Sequence, residues 1–474
     1  MNKLRPYQKE IIDSARNELR QGKNRILCQL ATGGGKTYIF CSIIKSAIDR
    51  GSKVLILTDR IELLYQAGGS LDSFGLLPEN IEAGLYPELS GNLYVGMIET
   101  ICRRLSEPEY KTFIKNLDLV IIDEAHIRSF TKIFKYLNEK TTVLGFTATP
   151  QRDGRTKHLS KEYEIIVKGV SINYLIENEY LSKPHYFGVE VDLSNIKKRG
   201  GDYDQKEVGE SFSEQKLYIG VVENYEKLTP GKKSIVFSSS ISSSEEICKE
   251  FQLKGYDVRH LDSTFTETER KYVLKWFHDS KDGILCNVGI LTRGFDQPDI
   301  ETVILYRATK SLPLYLQMVG RGSRSTLRKK DFYILDFGNN IQEHGFWHKE
   351  RNWTLNMSKK NKPKEDAAPI KECPNCSAIL PVSLRFCTEC GFEFVKSQEE
   401  KEFALLQEMS YNEIKSEIYS GASFERIESI REAKGFKQGW AWRQIPIEKL
   451  EDYAKYKRYS SGWVFHQKKQ RQDG

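Results

Sequence analysis

A glycine-rich segment near the N-terminus has the residue types of a phosphate-binding loop. It reads Ala31-Thr-Gly-Gly-Gly-Lys-Thr37, follows an apolar run and opens a helical pattern. Glycines let backbone N–H groups turn toward phosphate oxygens, and the N-terminus of the following helix adds partial positive charge. The predicted phosphate contacts are Thr32, Gly33, Gly34, Gly35, Lys36 and Thr37.

Two side chains of this loop have distinct predicted roles. Lys36 would neutralise the β- and γ-phosphates of a nucleoside triphosphate, and the Thr37 hydroxyl would hold Mg²⁺. Leu30 occupies a position where the strict phosphate-loop pattern has glycine. Taken alone, the segment could therefore also be a glycine-rich turn with an incidental lysine.

An acidic tetrapeptide, Asp123-Glu-Ala-His126, follows the apolar run Leu117–Ile122. Because the carboxyl ends of parallel strands meet at one edge of a sheet, two carboxylates should lie beside the phosphate loop. Asp123 can hold Mg²⁺ from the second side, and Glu124 can orient and deprotonate a water that attacks a phosphoanhydride. Alone, the tetrapeptide could be an ordinary helix start, but the phosphate loop upstream favours the catalytic interpretation.

A basic motif in the second half of the chain could supply the missing positive charge. The segment Gln317-Met-Val-Gly-Arg-Gly-Ser-Arg324 places two arginines on one face if it is helical. Paired guanidiniums can stabilise charge on a transferring phosphoryl group, an effect of about 10³- to 10⁵-fold in rate. A solvated basic helix end is the alternative. We predict that the catalytic set includes Gln317, Arg321 and Arg324.

Four of the nine cysteines form two pairs, Cys373-Pro-Asn-Cys376 and Cys387-Thr-Glu-Cys390. Four thiolates can close a tetrahedron around Zn²⁺ at about 2.3 Å, and so short a segment would take its folding energy from the metal. Redox pairing is the alternative. The other cysteines are scattered, mostly in apolar stretches, and we expect no disulfide framework in a long chain without a secretion signal.

Short apolar runs, each followed by turn residues and a helical pattern, must position these motifs. Runs of this kind without polar alternation are typical of strands buried on both faces, and their alternation with helices predicts two parallel α/β sheets. The first set of predicted strands is Arg25–Leu30, Lys53–Leu57, Leu117–Ile122 and Thr142–Phe146. The second set is Ser234–Phe237, Gly283–Cys286, Thr302–Tyr306 and Phe332–Leu335.

The length of 474 residues exceeds one compact core, at about 150 residues per domain. We predict two sheet domains, a linker, a zinc ribbon and an accessory region, at residues 1–158, 159–345, 346–370, 371–396 and 397–474 respectively. The accessory region is expected to be mainly helical. It is net acidic up to residue 433 and then net basic, with interspersed Trp and Tyr.

The composition restricts the class of protein. Hydrophobic residues make up 39% and charged residues 29%, which excludes a collagen-like, mucin-like or mostly disordered chain. No apolar run approaches the roughly 18 to 20 residues of a membrane span, and the N-terminus lacks a secretion signal, so we expect a soluble, cytoplasmic protein. The net charge of +7 permits a polyanionic partner without requiring one.

The phosphate loop, Asp123–His126, Thr147-Ala-Thr-Pro150 and Gln317–Arg324 resemble, in this order, the motifs of superfamily 2 helicases of the DEAH type. The resemblance covers residues 4 to about 340. It implies two tandem RecA-like domains, with ATP and Mg²⁺ in the cleft between them. In this chain the zinc ribbon and the helical tail follow the second domain.

The resemblance also implies contacts that the residues alone do not reveal. Leu4–Gln8 is similar to the adenine-reading segment of the family, and Gly289–Ile300 to a segment that approaches the nucleotide. The nucleotide contacts implied in this way are Arg5, Gln8, Gly294 and Asp296. The residues that would link hydrolysis to the grip on nucleic acid are His126, Thr147 and Thr149.

Contacts to the nucleic-acid strand are implied at five further positions. They are Arg60, Thr100, Ser238, Thr292 and Arg293. Hydroxyls and backbone amides at such positions bind phosphate without reading sequence, although ordinary turn chemistry would use the same residue types. Glu99 stands where the family has glutamine.

A tail segment, Lys434-Gly-Phe-Lys-Gln-Gly-Trp-Ala-Trp442, resembles one found downstream of the zinc module in RadD-type bacterial and phage helicases. That narrower family implies recombination and repair of branched DNA. The cations and aromatic rings of the last forty residues could form a stacking surface for exposed bases. Equally, these rings could form the core of a small domain.

The sequence therefore predicts an ATP-dependent DNA helicase or translocase for forked or branched DNA, in a bacterial or phage-infected cell. Its expected cofactors are ATP, Mg²⁺ and structural Zn²⁺. Its expected partner is DNA, with a single-strand-binding or recombination protein as a candidate second partner. The alternatives are an RNA helicase of the same superfamily and a protein that clamps or remodels nucleic acid without unwinding it.

Overall fold

The structure is a computed structural model. It describes residues 4–151, 158–188, 193, 195–199, 201–214, 217–291, 295–356, 370–382, 384–394, 424, 428, 431, 445, 449–460, 462–464 and 467–468. The chain divides into two compact units, Met1–Phe392 and Glu393–Gly474. None of the helices in the described ranges combines the length and the apolar character of a bilayer-crossing segment.

The first lobe of the larger unit alternates strands with helices. Its strands are β1 (Arg25–Gln29), β2 (Val54–Thr58), β3 (Glu79–Ile81), β4 (Leu93–Met97), β5 (Leu119–Asp123), β6 (Thr142–Thr147) and β7 (Ile165–Lys168). Its helices are α1 (Pro6–Arg20), α2 (Lys36–Ile48), α3 (Ile61–Asp72), α4 (Ile98–Arg104), α5 (Pro108–Lys115) and α6 (Ile172–Glu177).

The strands of this lobe form one parallel sheet in the order β3-β4-β2-β5-β6-β1-β7. All five residues of β2 are buried, as expected for a strand covered by helices on both faces. The neighbours β5, β6 and β1 end at the same edge of the sheet. This order places the acidic tetrapeptide, the Thr147 segment and the phosphate loop side by side.

The first sheet extends beyond the predicted domain boundary at residue 158, because β7 pairs with β1. Only Val167 of this edge strand is buried, so the strand lacks the long apolar run that identifies central strands. A connector that contains α6 then leads to the second lobe. By sheet membership, the chain changes lobes between Lys168 and Lys183.

The second lobe repeats the α/β alternation. Its strands are β8 (Lys183–Gly188), β9 (Lys198–Arg199), β10 (Asp202–Tyr203), β11 (Ser234–Ser238), β12 (Val258–Leu261), β13 (Ile284–Asn287), β14 (Thr302–Tyr306) and β15 (Asp331–Asp336). Its helices are α7 (Gln205–Glu214), α8 (Leu217–Leu228), α9 (Ile241–Leu253), α10 (Glu267–Asp279), α11 (Leu312–Val319) and α12 (Asn340–His344).

Six of these strands form a second parallel sheet in the order β12-β13-β11-β14-β15-β8, and β9 and β10 form a separate antiparallel hairpin. The predicted fold of two parallel-sheet domains is thus confirmed. The sequence did not predict β8, because its polar and half-buried residues interrupt any apolar run. Nor did it predict the short hairpin between β8 and α7.

The predicted linker begins too early, because residues 346–356, here called the clasp, pack against both lobes. Trp347 is buried and its Nε1 donates a hydrogen bond of 3.2 Å to the Leu316 carbonyl on α11 of the second lobe. On the first lobe, Lys168 Nζ donates to Asn352 Oδ1 at 2.9 Å, and Leu355 packs against the core. The first eleven residues of the predicted linker are thus part of the folded structure.

The cysteine segment forms a second hairpin, β16 (Ile370–Glu372) paired with β17 (Ile379–Pro381). It lies against β8, where Ala378 forms a bridge with Phe187 and the Ile379 side chain fills the space over Gly188. His185 on β8 contacts Glu389 of the cysteine segment through Nδ1 at 2.7 Å. The segment thereby covers the edge strand of the second sheet.

The smaller unit contains α13 (Leu450–Lys457). Tyr453 lies at the centre of its described core, with Leu450 and Val464. Tyr459 and Trp463 pack against this core, so these rings fill the interior of the unit. This arrangement agrees with the small-domain alternative for these rings. The segment Lys434–Trp442 lies outside the described residues, and the linker stretch 358–369 does too.

The clasp generates a stability prediction. Replacing the buried Trp347 by Ala should destabilise the protein by about 3–5 kcal/mol, because the change leaves a cavity and removes the hydrogen bond to Leu316. The urea midpoint of the first unfolding transition measures this. Leu327→Ala, at a fully exposed side chain, is the control and should change stability by less than about 0.5 kcal/mol. Equal midpoints for both variants would contradict a packed clasp.

Candidate nucleotide and nucleic-acid site

The phosphate loop follows β1 and ends where α2 begins at Lys36. Gly33 and Gly35 have φ angles of +80° and +81°, the left-handed region that glycine adopts without a steric penalty. Gly35 is the N-cap of α2, so the free N–H groups of the first helical turn face the loop. The loop therefore has the backbone shape and the helix end that bind phosphate.

Leu30, the departure from the strict loop pattern, is buried under the loop. A Cβ atom at Gly34 would lie 2.8 Å from Leu30 Cγ, and a Cβ atom at Gly169 would lie 2.7 Å from Leu30 Cδ1. The leucine side chain thus occupies space that two glycines leave open. The departure is accommodated by packing and does not disturb the positions of Lys36 and Thr37 at the helix start.

Lys36 and Glu124 face each other across the site. Lys36 Nζ lies 3.5 Å from Glu124 Oε1, and both side chains are largely buried. Glu124 has a φ of +49°, which is costly for a residue with a side chain and is typical of functional sites. Its own N–H donates to Asp123 Oδ1 at 2.9 Å. The turn after β5 thus aims two carboxylates toward the lysine.

The environment of Asp123 fits a cation. Burial raises the pKa of its carboxyl to about 7, the charge of Glu124 adds to this effect, and Lys36 opposes it. A divalent cation would reverse the shift by stabilising the carboxylate. Carboxylate and hydroxyl oxygens are ligands that Mg²⁺ prefers, so Asp123 and Thr37 have suitable chemistry to hold it.

His126 connects the acidic turn to β6. Its Nδ1 lies 2.9 Å from Thr147 Oγ1 and 3.4 Å from Glu124 Oε2. Thr147 Oγ1 in turn accepts a hydrogen bond of 3.0 Å from the Thr149 N–H. The predicted coupling residues therefore form one continuous chain of contacts that begins at the predicted general base. A movement of the Glu124 side chain would therefore change the contacts of the turn after β6.

The start of α1 lies on the phosphate loop. Tyr7 OH donates to the Gly34 carbonyl at 2.9 Å, and Gln8 Nε2 packs against Gly35, where a Cβ atom would be only 2.5 Å away. Gln8 Oε1 accepts from the Arg5 N–H at 2.9 Å, and the Arg5 guanidinium lies 4.4 Å from the Tyr180 ring centre. The structure thus brings Arg5 and Gln8 to the loop, and adenine binding by them stays a prediction.

The second lobe lies directly on the phosphate loop. A Cβ atom at Gly33 would be 3.2 Å from Ser323 Oγ and 3.9 Å from Arg324 Cγ. A Cβ atom at Gly320 would be 2.8 Å from Thr32 Cβ. The C-terminal end of α11 and the residues after it are therefore in van der Waals contact with the loop, and Arg324 is within reach of a phosphate held there.

Both arginines are oriented by the segment that precedes β14. Arg321 Nη1 donates to the Phe295 carbonyl, and Arg324 forms an ion pair with Asp296. Gln317 is buried on α11, one turn before Arg321. The predicted nucleotide contact Asp296 thus lies beside the predicted arginine pair. Gly294 is outside the described residues.

A buried lysine that stabilises the region around the two arginines was not predicted. Lys329 is buried and its Nζ donates to the carbonyls of Pro298, Ile300 and Gly322 at 2.9, 2.6 and 2.7 Å. It thereby ties the segment before β14 to the turn between the two arginines. A single lysine in a polar run gives no sequence signal of this kind, because its acceptors are backbone carbonyls distant in the chain.

Three of the five predicted strand contacts lie within the described residues. Arg60 Nη1 reaches the Ile290 carbonyl of the second lobe at 3.4 Å, so it bridges the lobes, whereas Thr100 lies in the first turn of α4. Ser238 ends β11, and its buried Oγ has no hydrogen-bond partner among the described residues. Thr292 and Arg293 lie outside the described residues, so their strand contacts remain predictions.

The four paired cysteines converge on one point. Cys373 Sγ and Cys390 Sγ are 3.6 Å apart, as are Cys376 Sγ and Cys387 Sγ, and all four sulfurs lie within 4.8 Å of one another. A tetrahedron with Zn–S bonds of about 2.3 Å has edges of about 3.8 Å, whereas a disulfide bond is about 2.05 Å. The cluster therefore fits a structural zinc ion and not redox pairs.

Two parallel-sheet lobes that enclose a phosphate loop, paired carboxylates and an arginine pair define a nucleotide-driven motor of the helicase class. Family models agree with this class. A model described as type III restriction enzyme, res subunit, matches residues 1–152, and one described as helicase conserved C-terminal domain matches residues 217–326. The chain belongs to the superfamily 2 helicases.

Individual relatives support the assignment. A 51.5 kDa protein of a Lactococcus phage (isolate 7-9) is 30% identical over 410 residues, which cover 84% of this chain and 85% of the phage protein. A Saccharomyces cerevisiae protein assigned as the ATP-dependent helicase IRC3 is 31% identical over 357 residues, which cover 70% of this chain but only 51% of the yeast protein.

A solved structure shares the fold. A fragment assigned as the HsdR subunit of a type I restriction enzyme from Vibrio vulnificus YJ016 superposes with a TM-score of 0.58 at 23% identity. The match covers 71% of this chain and 64% of that fragment. At this identity the likeness concerns the fold alone.

The site generates a catalytic prediction. Glu124→Gln should lower ATP hydrolysis by about 10²- to 10⁴-fold and leave nucleotide binding intact, because it removes a general base but keeps the side-chain shape. Phosphate release and binding of a fluorescent ATP analogue measure the two effects. Glu109→Gln, at an exposed position of the same lobe, is the control and should hydrolyse ATP normally. Full hydrolysis by Glu124→Gln would refute the assignment.

The cysteine cluster generates a metal prediction. Purified protein should contain about one zinc ion per chain, and Cys376→Ser or Cys387→Ser should lower this content, because four thiolates are needed for a closed site. Elemental analysis by mass spectrometry measures the ratio. Cys102→Ser, at a cysteine outside the cluster, should retain the metal. A wild-type zinc content near zero would reject the site.

Proposed function

We propose that the protein is an ATP-dependent DNA helicase or translocase that acts on forked or branched DNA. The observation that carries this proposal is the position of Arg324, which lies against the phosphate loop although it belongs to the other lobe. A nucleotide in such a cleft touches both lobes, so its hydrolysis can change how they are held together. That is the requirement for a motor that moves along a strand.

Each residue of the cleft has a role in this mechanism. The loop amides and Lys36 would hold the β- and γ-phosphates, and Glu124 would orient and deprotonate the attacking water. Arg321 and Arg324 would neutralise charge that develops on the transferring phosphoryl group. Mg²⁺, when held by Thr37 and Asp123, would screen the phosphate charge. The contact chain through His126 would transmit the loss of the γ-phosphate to the turn after β6.

Repeated hydrolysis is needed because strand separation has a continuing cost. Each base-pair step costs about 1.4 kcal/mol to open, so binding energy alone would melt only a short patch. Two lobes that both contact phosphates, through Arg60 and Thr100 on one side and Ser238 on the other, could step along a strand if their affinities alternate. Phosphate contacts of this type do not depend on base sequence.

DNA is favoured over RNA by the likeness to restriction enzymes. The family model that matches the first lobe is described as type III restriction enzyme, res subunit. An RNA helicase of the same superfamily is the second candidate, because the two lobes would grip either polymer. Repair or recombination of branched DNA is proposed on the resemblance of the tail to RadD-type helicases.

ATPase stimulation and strand displacement test the proposal together. Single-stranded and forked DNA should stimulate hydrolysis more than RNA of the same sequence, because the proposed substrate is DNA. ATP should then drive displacement on at least one of four substrates: 3′-tailed, 5′-tailed, forked and four-way DNA. Stimulation should fall steeply as salt increases, since the contacts are to phosphates.

Lys36→Ala is the matched control, since it should bind DNA but neither hydrolyse ATP nor displace a strand. Stimulation by RNA alone would replace the proposal with the RNA helicase. DNA-stimulated hydrolysis without displacement on any substrate would leave a translocase. Binding without stimulated hydrolysis would identify a clamp and overturn the proposal.

A further inference from the structure

The β9–β10 hairpin is fixed to the carboxyl edge of the second sheet. The Asp202 carboxylate accepts hydrogen bonds from Thr309 Oγ1 at 2.7 Å and from the Lys310 N–H at 2.5 Å. Both residues follow β14. Gln205 Nε2 bonds the carbonyls of Tyr203 and Ala308 at 3.0 and 3.1 Å. The hairpin is therefore anchored through β10 and the start of α7, at the edge where ligands of parallel α/β sheets bind.

A polar groove of about 630 Å³ lies between the hairpin and the residues after β15. This volume is within the range of about 300–1,000 Å³ that is common for small-ligand sites. Lys198 and Tyr203 line it from the hairpin, and Asn339 and Gln342 from the opposite side. The lining thus offers one cation, the carboxylate of Glu343, one aromatic ring, two carboxamides and two aliphatic side chains.

Two exposed cations lie on the hairpin, beside the Asp202 carboxylate of its anchor. Lys198 and Arg199 are exposed on the hairpin, whereas the neighbouring Lys197 forms an ion pair of 3.0 Å with Glu207. Glu343 also lines the groove, but the Lys310 ammonium lies 3.0 Å from its carboxylate. Lys310 Nζ is also 4.8 Å from the Tyr203 ring centre. An anionic ligand with a planar apolar part suits this combination.

The hairpin and the predicted strand contact of this lobe lie at the same edge of the second sheet. β11 and β14 are neighbouring parallel strands, so Ser238 at the end of β11 lies at the same edge as the hairpin anchor. On α7, which follows the hairpin, Gly209 lies so close to Ser240 that a Cβ atom would be 2.7 Å from its Oγ. A strand held at Ser238 would therefore pass near the hairpin.

The cysteine segment (residues 370–394), from here on called the zinc segment, borders the other end of the groove. Asn339 and Gln342 line not only this groove but also a smaller cavity of about 60 Å³ against β16 and β17. Ile370 and Lys371 line that cavity from the zinc segment. The groove thus runs from the hairpin toward the zinc segment along the same edge of the second lobe.

We propose that this hairpin groove binds single-stranded nucleic acid beyond the contacts implied by the helicase motifs. Lys198 and Arg199 bind phosphates, Tyr203 stacks on a base, and the carboxamides of Asn339 and Gln342 contact base edges. Stacking on an aromatic ring is tolerant of sequence, as a motor requires. The proposal rests on the proposed function, because it adds a site to the same strand path.

Salt-dependent binding tests the phosphate contacts. A Lys198→Ala/Arg199→Ala variant should bind a fluorescent single-stranded oligonucleotide several-fold more weakly. The slope of log affinity against log salt should fall by about 1.4, since each lost phosphate contact contributes about 0.7 for a single strand. A Lys271→Ala/Lys275→Ala variant removes the same charge from exposed positions of α10 and should match the wild type.

Photocrosslinking tests the stacking contact. An oligonucleotide that carries 5-iodouridine should crosslink to Tyr203, as identified by mass spectrometry of the tryptic peptides. Tyr203→Phe keeps the ring and should retain the affinity, whereas Tyr203→Leu should weaken binding by about fivefold or more. Thermal unfolding of each variant shows whether it is folded, and the Lys198 and Arg199 pair provides an independent test at exposed positions.

The outcomes separate the groove from the motor. If the hairpin variant and the α10 variant bind with equal affinity and equal slope, the groove proposal is wrong, while DNA-stimulated hydrolysis by the wild type would keep the proposed function. If the wild type binds no polynucleotide at all, both proposals fail. Crosslinks confined to other peptides would also overturn the assignment of Tyr203.

Discussion

At the phosphate loop, two lobes approach each other so closely that the backbone has no room for a side chain at Gly33 or Gly320. A Cβ atom at Gly33 would lie 2.8 Å from Leu181, and one at Gly320 would lie 2.8 Å from Thr32. Contacts of this length are below those of normal packing. Glycine at these two positions therefore allows the close approach of the two lobes. Because the lobes are so close, an arginine of one lobe can reach phosphates bound by the other.

The charges of the same cleft suit a ligand that contains both a cation and phosphates. Asp123 and Glu124 are adjacent and half-buried, and the Lys36 ammonium lies near both. Burial and, to a smaller extent, the charge of Glu124 raise the pKa of Asp123. The arginines do not compensate the charge of these carboxylates, because Arg321 donates to the Phe295 carbonyl and Arg324 pairs with Asp296. A cation and a polyphosphate would complete the balance of charge.

All central strands except β4 could be predicted from the sequence, because both of their faces are buried and a strand such as β2 is apolar up to its last residue, Thr58. The edge strands β7 and β8 could not, since water or the zinc segment replaces a helix on part of their surface. The motifs gave the positions of Lys36, Glu124 and Arg324 because their chemistry fixes residue types at fixed spacing. The role of Lys329 could not be predicted, because its partners are backbone carbonyls distant in the chain. The clasp could not be predicted either, because it packs on helices and cores that are distant in the chain.

The clasp and the paired cysteines belong to the same compact unit as the two lobes. The clasp contacts α11, which leads to the arginine pair, through Trp347, and it contacts the first lobe through Asn352 and Leu355. The zinc segment covers β8 at the far edge of the second sheet. Any movement of one lobe against the other must therefore displace the clasp or bend it, while the zinc segment moves with the second lobe. A strand contact at the hairpin groove or near the zinc segment would thus shift relative to the first lobe whenever the cleft opens.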